Sequence, residues 1–458
     1  MREDDSNISL DESDTRKPQS VGEHLWLVLL MINLFGLALL GRGWANLGIP
    51  PLFVGELVLV LGAFVVFLSG YWNLFFQSRL IWPLWVLMVW GAYRTLPYLG
   101  QYGFHALRDA VLLGYALFAI LTFVYICSKP ERLSILVRGY ARFATWFLVL
   151  IPLIWIPSQF LQDKLPANPI TFLFLNAKGG DTGVHLAGVM AFWAVGIGAA
   201  PSFRLLILFC FTFAWVAAVN RGGLLSFLLA ISFVCCFRPY NVVVWRFALL
   251  GATTLLLLLV IDFRIQIPGR ERKIDATQFI ENVTSVASKT KSGDLDGTKE
   301  WRLMWWSEIV DYTIFGRYYW VGKGFGVNLA DDDGFQVSSD GSLRSPHNGH
   351  LNVLARSGVP GFVMWCTALG AWFIAMVTEL RRSLIHRERN WTNLLLFLTA
   401  YWIAFSVNAT FDVFLEGPMG GIWYWTLYGI GMAAIWIHRH CPEALDLSAQ
   451  PNLFPNCR

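Results

Sequence analysis

A succession of apolar stretches, each of the roughly 17 to 25 residues that cross a bilayer as a helix, governs what this chain can fold into. They lie at about 24–41, 51–69, 80–97, 109–127, 140–158, 183–200, 203–219, 222–238, 242–263, 358–378, 391–408 and 420–437. With 56% hydrophobic and only 14% charged residues over 458 positions, the chain is far more apolar than a soluble domain. Inside lipid the backbone must satisfy its own hydrogen bonds, so the expected fold is all-α: a polytopic membrane protein of about twelve transmembrane helices.

Basic residues in short loops orient the spans. Lys129, Arg132, Arg138 and Arg142 follow the fourth span, Arg238 and Arg246 flank the turn after the eighth, and Arg381, Arg382, Arg387 and Arg389 follow the tenth. All three clusters share one side if both termini are cytoplasmic. The loop "NATFDVFLEGPMGG" after the eleventh span has no Lys or Arg, which agrees with the opposite side. The expected organisation is a disordered cytoplasmic tail at 1–23, nine spans at 24–263 and an extracytoplasmic helical loop domain at 264–346. A short or re-entrant helix and three spans follow at 347–437, then a cytoplasmic tail at 438–458.

Several function classes drop out. The net charge of +4 is accounted for by the cytoplasmic loops, so the expected surroundings are membrane lipids and no nucleic acid. The seven cysteines lie in spans or the C-terminal tail, and none falls in the outer segment, so neither a disulfide framework nor a Cys-based metal site is indicated. No G-x-x-x-x-G-K-[ST] loop occurs, and the cytoplasmic loops are too short to bind a nucleotide. Chemistry would therefore sit outside and use a substrate that arrives already activated. A transporter or flippase is the alternative for so many spans. Against it, no clear internal repeat is present, and Glu56 and Asp262 are the main ionisable residues within spans.

Two helices are expected in the outer segment. "DATQFIENVTSVAS" spaces Phe279, Ile280, Val283 and Val286 helically behind an Asp275 cap, and "TKEWRLMWWSEIVDYTIFG" sets Trp301, Met304, Trp305 and Ile309 on one stripe. That stripe reads as packing rather than a sugar platform. Arg302 lies beside it, and spacing alone leaves open whether it stacks on Trp, snorkels to headgroups or meets a ligand. Gly322, Gly324 and Gly326 form a Gly-rich turn without the strand and helix a dinucleotide site needs. Asp331, Asp332 and Asp333 read as a solvated charge run, and no metal site is expected.

Arg221, in "VNRGGLLSF", stands at the outer boundary against the positive-inside bias, so it either faces protein or a polar ligand or snorkels. "RSPHNGHLNVLARSGVPG" offers Ser345 as an N-cap and Pro346 as the first helical residue, with His347 in the first turn. His347 would then share a face with His350, Leu351 and Leu354, beside a helix start suited to phosphate oxygens. Gly358 to Gly361 should break this helix before the next span. Helix physics alone leaves His347 either a structural hydrogen-bond partner or a catalyst.

Together, "RGG" at Arg221, "WR" at Trp301 and Arg302 followed by "GKGFG", and "HNGHL" from His347 with Gly358 and Gly361 behind it resemble the bacterial O-antigen ligase and polymerase family. The resemblance covers roughly residues 183–378. It implies a C-type membrane glycosyltransferase that moves a glycan from undecaprenyl diphosphate to a hydroxyl on a lipid, glycan or protein acceptor, without metal or other cofactor. It implies that Arg221 and Arg302 bind the donor diphosphate and that His347 acts on the acceptor hydroxyl. Ser345, Asn348, His350, Gly322, Gly324 and Gly326 would support them. The first outer loop, "GRGWANLGIPP", lacks the acidic pair used there by metal-dependent oligosaccharyltransferases. Should His347 not be the base, Asp412 or Glu416 is the next acid/base candidate. Residues before about 183 carry no matching motif.

Overall fold

The computed structural model describes residues 21–50, 52–161, 169–174, 178–261, 264–266, 273–275 and 293–445. Each of the twelve apolar stretches is helical over most of its described residues. In chain order the longer helices are α1 (Val21–Leu40), α2 (Val54–Ser69), α3 (Ile81–Thr95), α4 (Phe104–Gly114), α5 (Ala116–Ser128), α6 (Glu131–Leu161) and α7 (Gly179–Val195). They continue as α8 (Phe203–Val219), α9 (Arg221–Phe237), α10 (Val242–Val260), α11 (Gly293–Ile314), α12 (Gly349–Ile385), α13 (Arg389–Ala409) and α14 (Pro418–His440). Among the described residues the strands are two antiparallel ribbons, Gly48–Ile49 with Leu52–Phe53 and Arg264–Gln266 with Lys273–Asp275.

Four of the helices are long and apolar enough to cross a membrane by themselves, and five spans result if α4 and α5, bent by 41°, count as one. Four more apolar helices, α2, α8, α9 and α10, are shorter. The helix expected after Asp275 lies outside the described residues, as do Asp262, residues 1–20 and residues 446–458. At the N-terminus α1 starts at Val21, inside the stretch expected to be tail, because Glu23 in its first turn is buried against Arg132 and Lys129.

The three basic clusters meet at one end of the bundle. Arg238 donates to Asn393 at the start of α13, Trp391 donates to the Pro442 carbonyl at 2.9 Å, and Ser134 donates to the Ala444 carbonyl at 3.3 Å. At the opposite end, α7, α9 and α13 form the packed centre. A Cβ added at Gly183 would stand 2.8 Å from the Gly223 Cα, so α7 and α9 touch backbone to backbone and their N-termini arrive side by side.

The outer segment is clamped onto this end by buried charges. Asp109 on α4 accepts from Arg344 at 2.9 Å and from the Gly326 amide at 3.1 Å, and it forms an ion pair with Arg356 at 3.0 Å. α11 buries Trp305 and Ile309, while Met304, expected on the same stripe, is exposed. Trp305 stacks on Phe335 at 5.4 Å, a packing role. The acidic turn is not a solvated run throughout. The Asp333 side chain is fully buried, bridged by Lys323, and accepts from Trp305 Nε1 at 2.6 Å. Removing one member of a buried ion pair typically costs about 3–5 kcal/mol. Asp333→Ala should therefore unfold several degrees earlier than Asp331→Ala in detergent; equal melting temperatures would return Asp333 to the solvated reading.

Candidate active site

The loop at 410–417, between α13 and α14, is where the polar chemistry gathers. Three helix N-termini face it. Asn220 caps α9 by accepting from the Gly223 amide at 2.6 Å, and Asn348 caps α12 by accepting from the His350 and Leu351 amides at 3.1 and 3.0 Å. A Cβ added at Gly180, on the first turn of α7, would lie 3.5 Å from Asp412 Oδ2; one at Gly222 would lie 3.3 Å from Phe411 Cβ. One at Gly349 would lie 3.6 Å from Glu416 Oε2. Glycine at these positions lets helix starts close in on the loop, and their partial positive charges converge there.

His347 stands just before α12, not within its first turn. The helix begins one cap later than the sequence suggests, at Asn348 rather than Ser345, and His347 adopts a left-handed backbone with φ 52°. Such a conformation costs a non-glycine residue about 1–3 kcal/mol, so the surroundings must hold it. They do: Trp306 donates to the Pro346 carbonyl at 2.8 Å on one side, and the Asn348 cap fixes the other. The imidazole Nδ1 lies 3.6 Å from Asp412 Oδ1, too long for a hydrogen bond but close enough for the carboxylate to orient the ring. Trp301 stands edge-on at 6.3 Å. Ser345 is buried, and its hydroxyl has no hydrogen-bond partner among the described residues.

His350 and the glycine turn are used for structure. His350 accepts from Trp365 Nε1 at 3.0 Å through Nδ1, which leaves Nε2 to donate to the Ser406 carbonyl at 3.1 Å. The two histidines thus part company: one is tied on both nitrogens, the other faces the loop. Gly322, Gly324 and Gly326 all have positive φ. The Lys323 and Gly324 amides donate to the Ala355 and Arg356 carbonyls at 2.7 and 3.0 Å, beside the kink that Gly358, φ 70°, puts in α12. The Gly322 and Gly326 amides are likewise spent on protein, on the Tyr318 carbonyl and Asp109.

Arg302 reaches the loop from α11 and donates to the Phe411 carbonyl at 2.9 Å, while its buried Nε has no hydrogen-bond partner among the described residues. Burial draws the guanidinium down, and Asp412 pushes it back up. Arg221 is the first residue of α9, between Asn220 and Gly222, both of which border this loop. Burial pushes the Asp412 carboxyl up, but His347 and Lys178 outweigh it and hold it below the usual carboxylate range. Glu416, which accepts from the Phe414 amide at 3.1 Å, is pushed by burial up to about 7.

Part of the chain matches the family model for O-antigen ligase. The match covers residues 206–366, which include Arg221, Arg302 and His347. Comparison with curated proteins returns no match. Together with the apolar helices, the family match supports a membrane protein with activity of the O-antigen ligase kind. Half of the polar cluster lies beyond the matched residues. Asp412 and Glu416 follow them, and Lys178, with its Nζ 3.7 Å from Asp412 Oδ1, precedes both them and the stretch that resembled the family. Lys178 and the buried Asn408, whose side-chain atoms have no partner among the described residues, escaped the sequence reading. The Gly-Gly start of α7 right after Lys178 was the available signal.

The folded protein holds a proton on Glu416 that the unfolded chain sheds near pH 4.5, so this group's contribution to stability falls as pH rises from about 4.5 to about 7. Glu416→Gln should be more stable than the parent at pH 8, by on the order of 3 kcal/mol, and equal to it at pH 4. A stability difference that does not change with pH would show that Glu416 is ionised in the folded protein.

Proposed function

We propose that this protein transfers a glycan from undecaprenyl diphosphate to an acceptor hydroxyl at the outer face of the cytoplasmic membrane, on a C-type glycosyltransferase fold and without metal. The observation that carries the reading is the single cluster of His347, Asp412, Arg302 and three helix N-termini at loop 410–417. The end of the bundle that holds this loop is opposite the basic loops, and the tendency of positive loops to stay cytoplasmic supports a site on the outer face.

The chemistry then divides among residues of the chain. The acceptor oxygen attacks C1 of the donor sugar, and the bond from C1 to the diphosphate oxygen breaks. His347 Nε2 takes the acceptor proton, with Nδ1 toward Asp412, whose negative charge stabilises the imidazolium that forms. Charge collects on the departing diphosphate. Arg302, Arg221 and the helix N-termini offset it.

Cells lacking the chain should accumulate undecaprenyl-diphosphate glycan, identified by mass spectrometry, that a lectin added outside spheroplasts can bind. Accumulation of donor hidden from the lectin would instead assign a flippase.

A further inference from the structure

At the basic end of the bundle, far from loop 410–417, a cavity of about 560 Å³ opens between the end of α7, the turn joining α9 to α10, and the start of α13. Its walls include Trp193, Gly196, Gly198, Asn241 and two arginines, Arg238 and Arg389. Two cations that share one cavity repel each other, and folded proteins ordinarily relieve this with a carboxylate. None does so here: among the described residues neither guanidinium has a carboxylate within salt-bridge distance. The acid next in sequence, Glu388, is turned away and meets His438 Nε2 at 2.5 Å.

Structural accounts cover one arginine and not the other. Arg238 follows the C-terminal end of α9, where a cation is favoured by the helix dipole, and it donates to Asn393. Arg389 is the first residue of α13, where the dipole disfavours a cation, and its side chain makes no hydrogen bond within the described residues. An anion between them would answer both the repulsion and the unfavourable helix position. The uncapped amides at the start of α13 add donors at the same place, since no side chain caps that helix.

We propose that this cavity binds the phosphate of an anionic phospholipid from the leaflet at that end of the bundle. A phosphodiester carries one charge and two free oxygens, which matches a pair of guanidinium groups. The glycine-lined and alanine-lined floor leaves room for the rest of the headgroup, and basic pockets between helices on the cytoplasmic side are where anionic headgroups bind. Lipid phosphate and free phosphate share this chemistry, and lipid is favoured because the cavity lies among the ends of apolar helices.

The test uses the full chain, purified and stripped of lipid in detergent. Phosphatidylglycerol should raise its melting temperature and remain bound in native mass spectrometry, whereas phosphatidylcholine should do neither. Arg389→Gln, an exposed change remote from the transfer site, should lose at least tenfold in phosphatidylglycerol affinity while keeping its glycan transfer, and Arg389→Lys should recover part of the loss. Arg238→Gln should behave alike, but its bond to Asn393 makes Arg389 the cleaner probe. Equal stabilisation by phosphatidylcholine, or an unchanged phosphatidylglycerol affinity in Arg389→Gln, would overturn the proposal. Stabilisation by inorganic phosphate alone equal to that by phosphatidylglycerol would overturn the assignment to lipid.

Discussion

His347→Ala is expected to lower glycan transfer by about 10²–10⁴ while membrane level and donor binding stay near normal, the loss that removing a general base typically brings. The imidazole faces Asp412 at 3.6 Å and sits on a left-handed backbone held by Trp306 and Asn348, so its position is enforced rather than incidental. Proton transfer acts in the transition state, so turnover should fall and donor affinity should not. Alanine tolerates the left-handed region poorly, and a loss in His347→Ala could come from the backbone alone. His347→Asn separates the two causes, because asparagine accepts φ near 52° but cannot take up the acceptor proton. It should be as inactive as the alanine variant. His350→Ala should instead lower the amount of folded protein, since it breaks the bonds to Trp365 and Ser406, with turnover per folded molecule changed much less. Single-turnover transfer in proteoliposomes, normalised to folded enzyme, gives both quantities. An active His347→Asn would make the histidine a backbone anchor and pass the base role to Asp412 or Glu416.

The helices were legible because their cause is local. An apolar run in lipid has few alternatives to a helix, and composition alone marks it. The candidate site was legible only where its residues lie in short motifs. Arg221, Arg302 and His347 announce themselves within a few residues, whereas Lys178 meets Asp412 across more than two hundred positions, which periodicity cannot reach. The acidic turn fails for a related reason. Three consecutive aspartates look alike in sequence, and only the arrival of Lys323, Trp305 and Tyr312 decides that Asp333 turns inward while Asp332 stays half exposed. The cap of α12 was misplaced because Ser345, Asn348 and Pro346 are all good starting residues. The left-handed turn at His347, set by tertiary contacts, selects Asn348.

Arg302→Ala should weaken binding of the undecaprenyl-diphosphate donor roughly 10- to 100-fold and lower transfer further still, because charge-assisted contacts of about 1.5–3 kcal/mol strengthen as the diphosphate leaves. The guanidinium already gives one N–H to the Phe411 carbonyl, and its buried Nε has no partner among the described residues, a cost that a phosphate oxygen would remove. Two effects of the substitution must be told apart. Losing the Phe411 contact frees the turn that carries Asp412, which would disturb the facing of Asp412 and His347; losing the charge would spare that geometry and weaken only the donor. Arg302→Gln drops the charge and, two bonds shorter than arginine, also falls short of the Phe411 carbonyl, so it should melt about as early as Arg302→Ala and bind donor as poorly. Arg302→Lys keeps the charge but replaces a planar fork with a single point, and it too should stay well below the parent in transfer. Donor affinity measured on both variants beside their melting temperatures makes the distinction. Parent-like donor affinity in Arg302→Gln would mean that Arg302 acts on the loop alone, as a positioning residue for Asp412, and that the diphosphate rests on Arg221 and the converging helix starts.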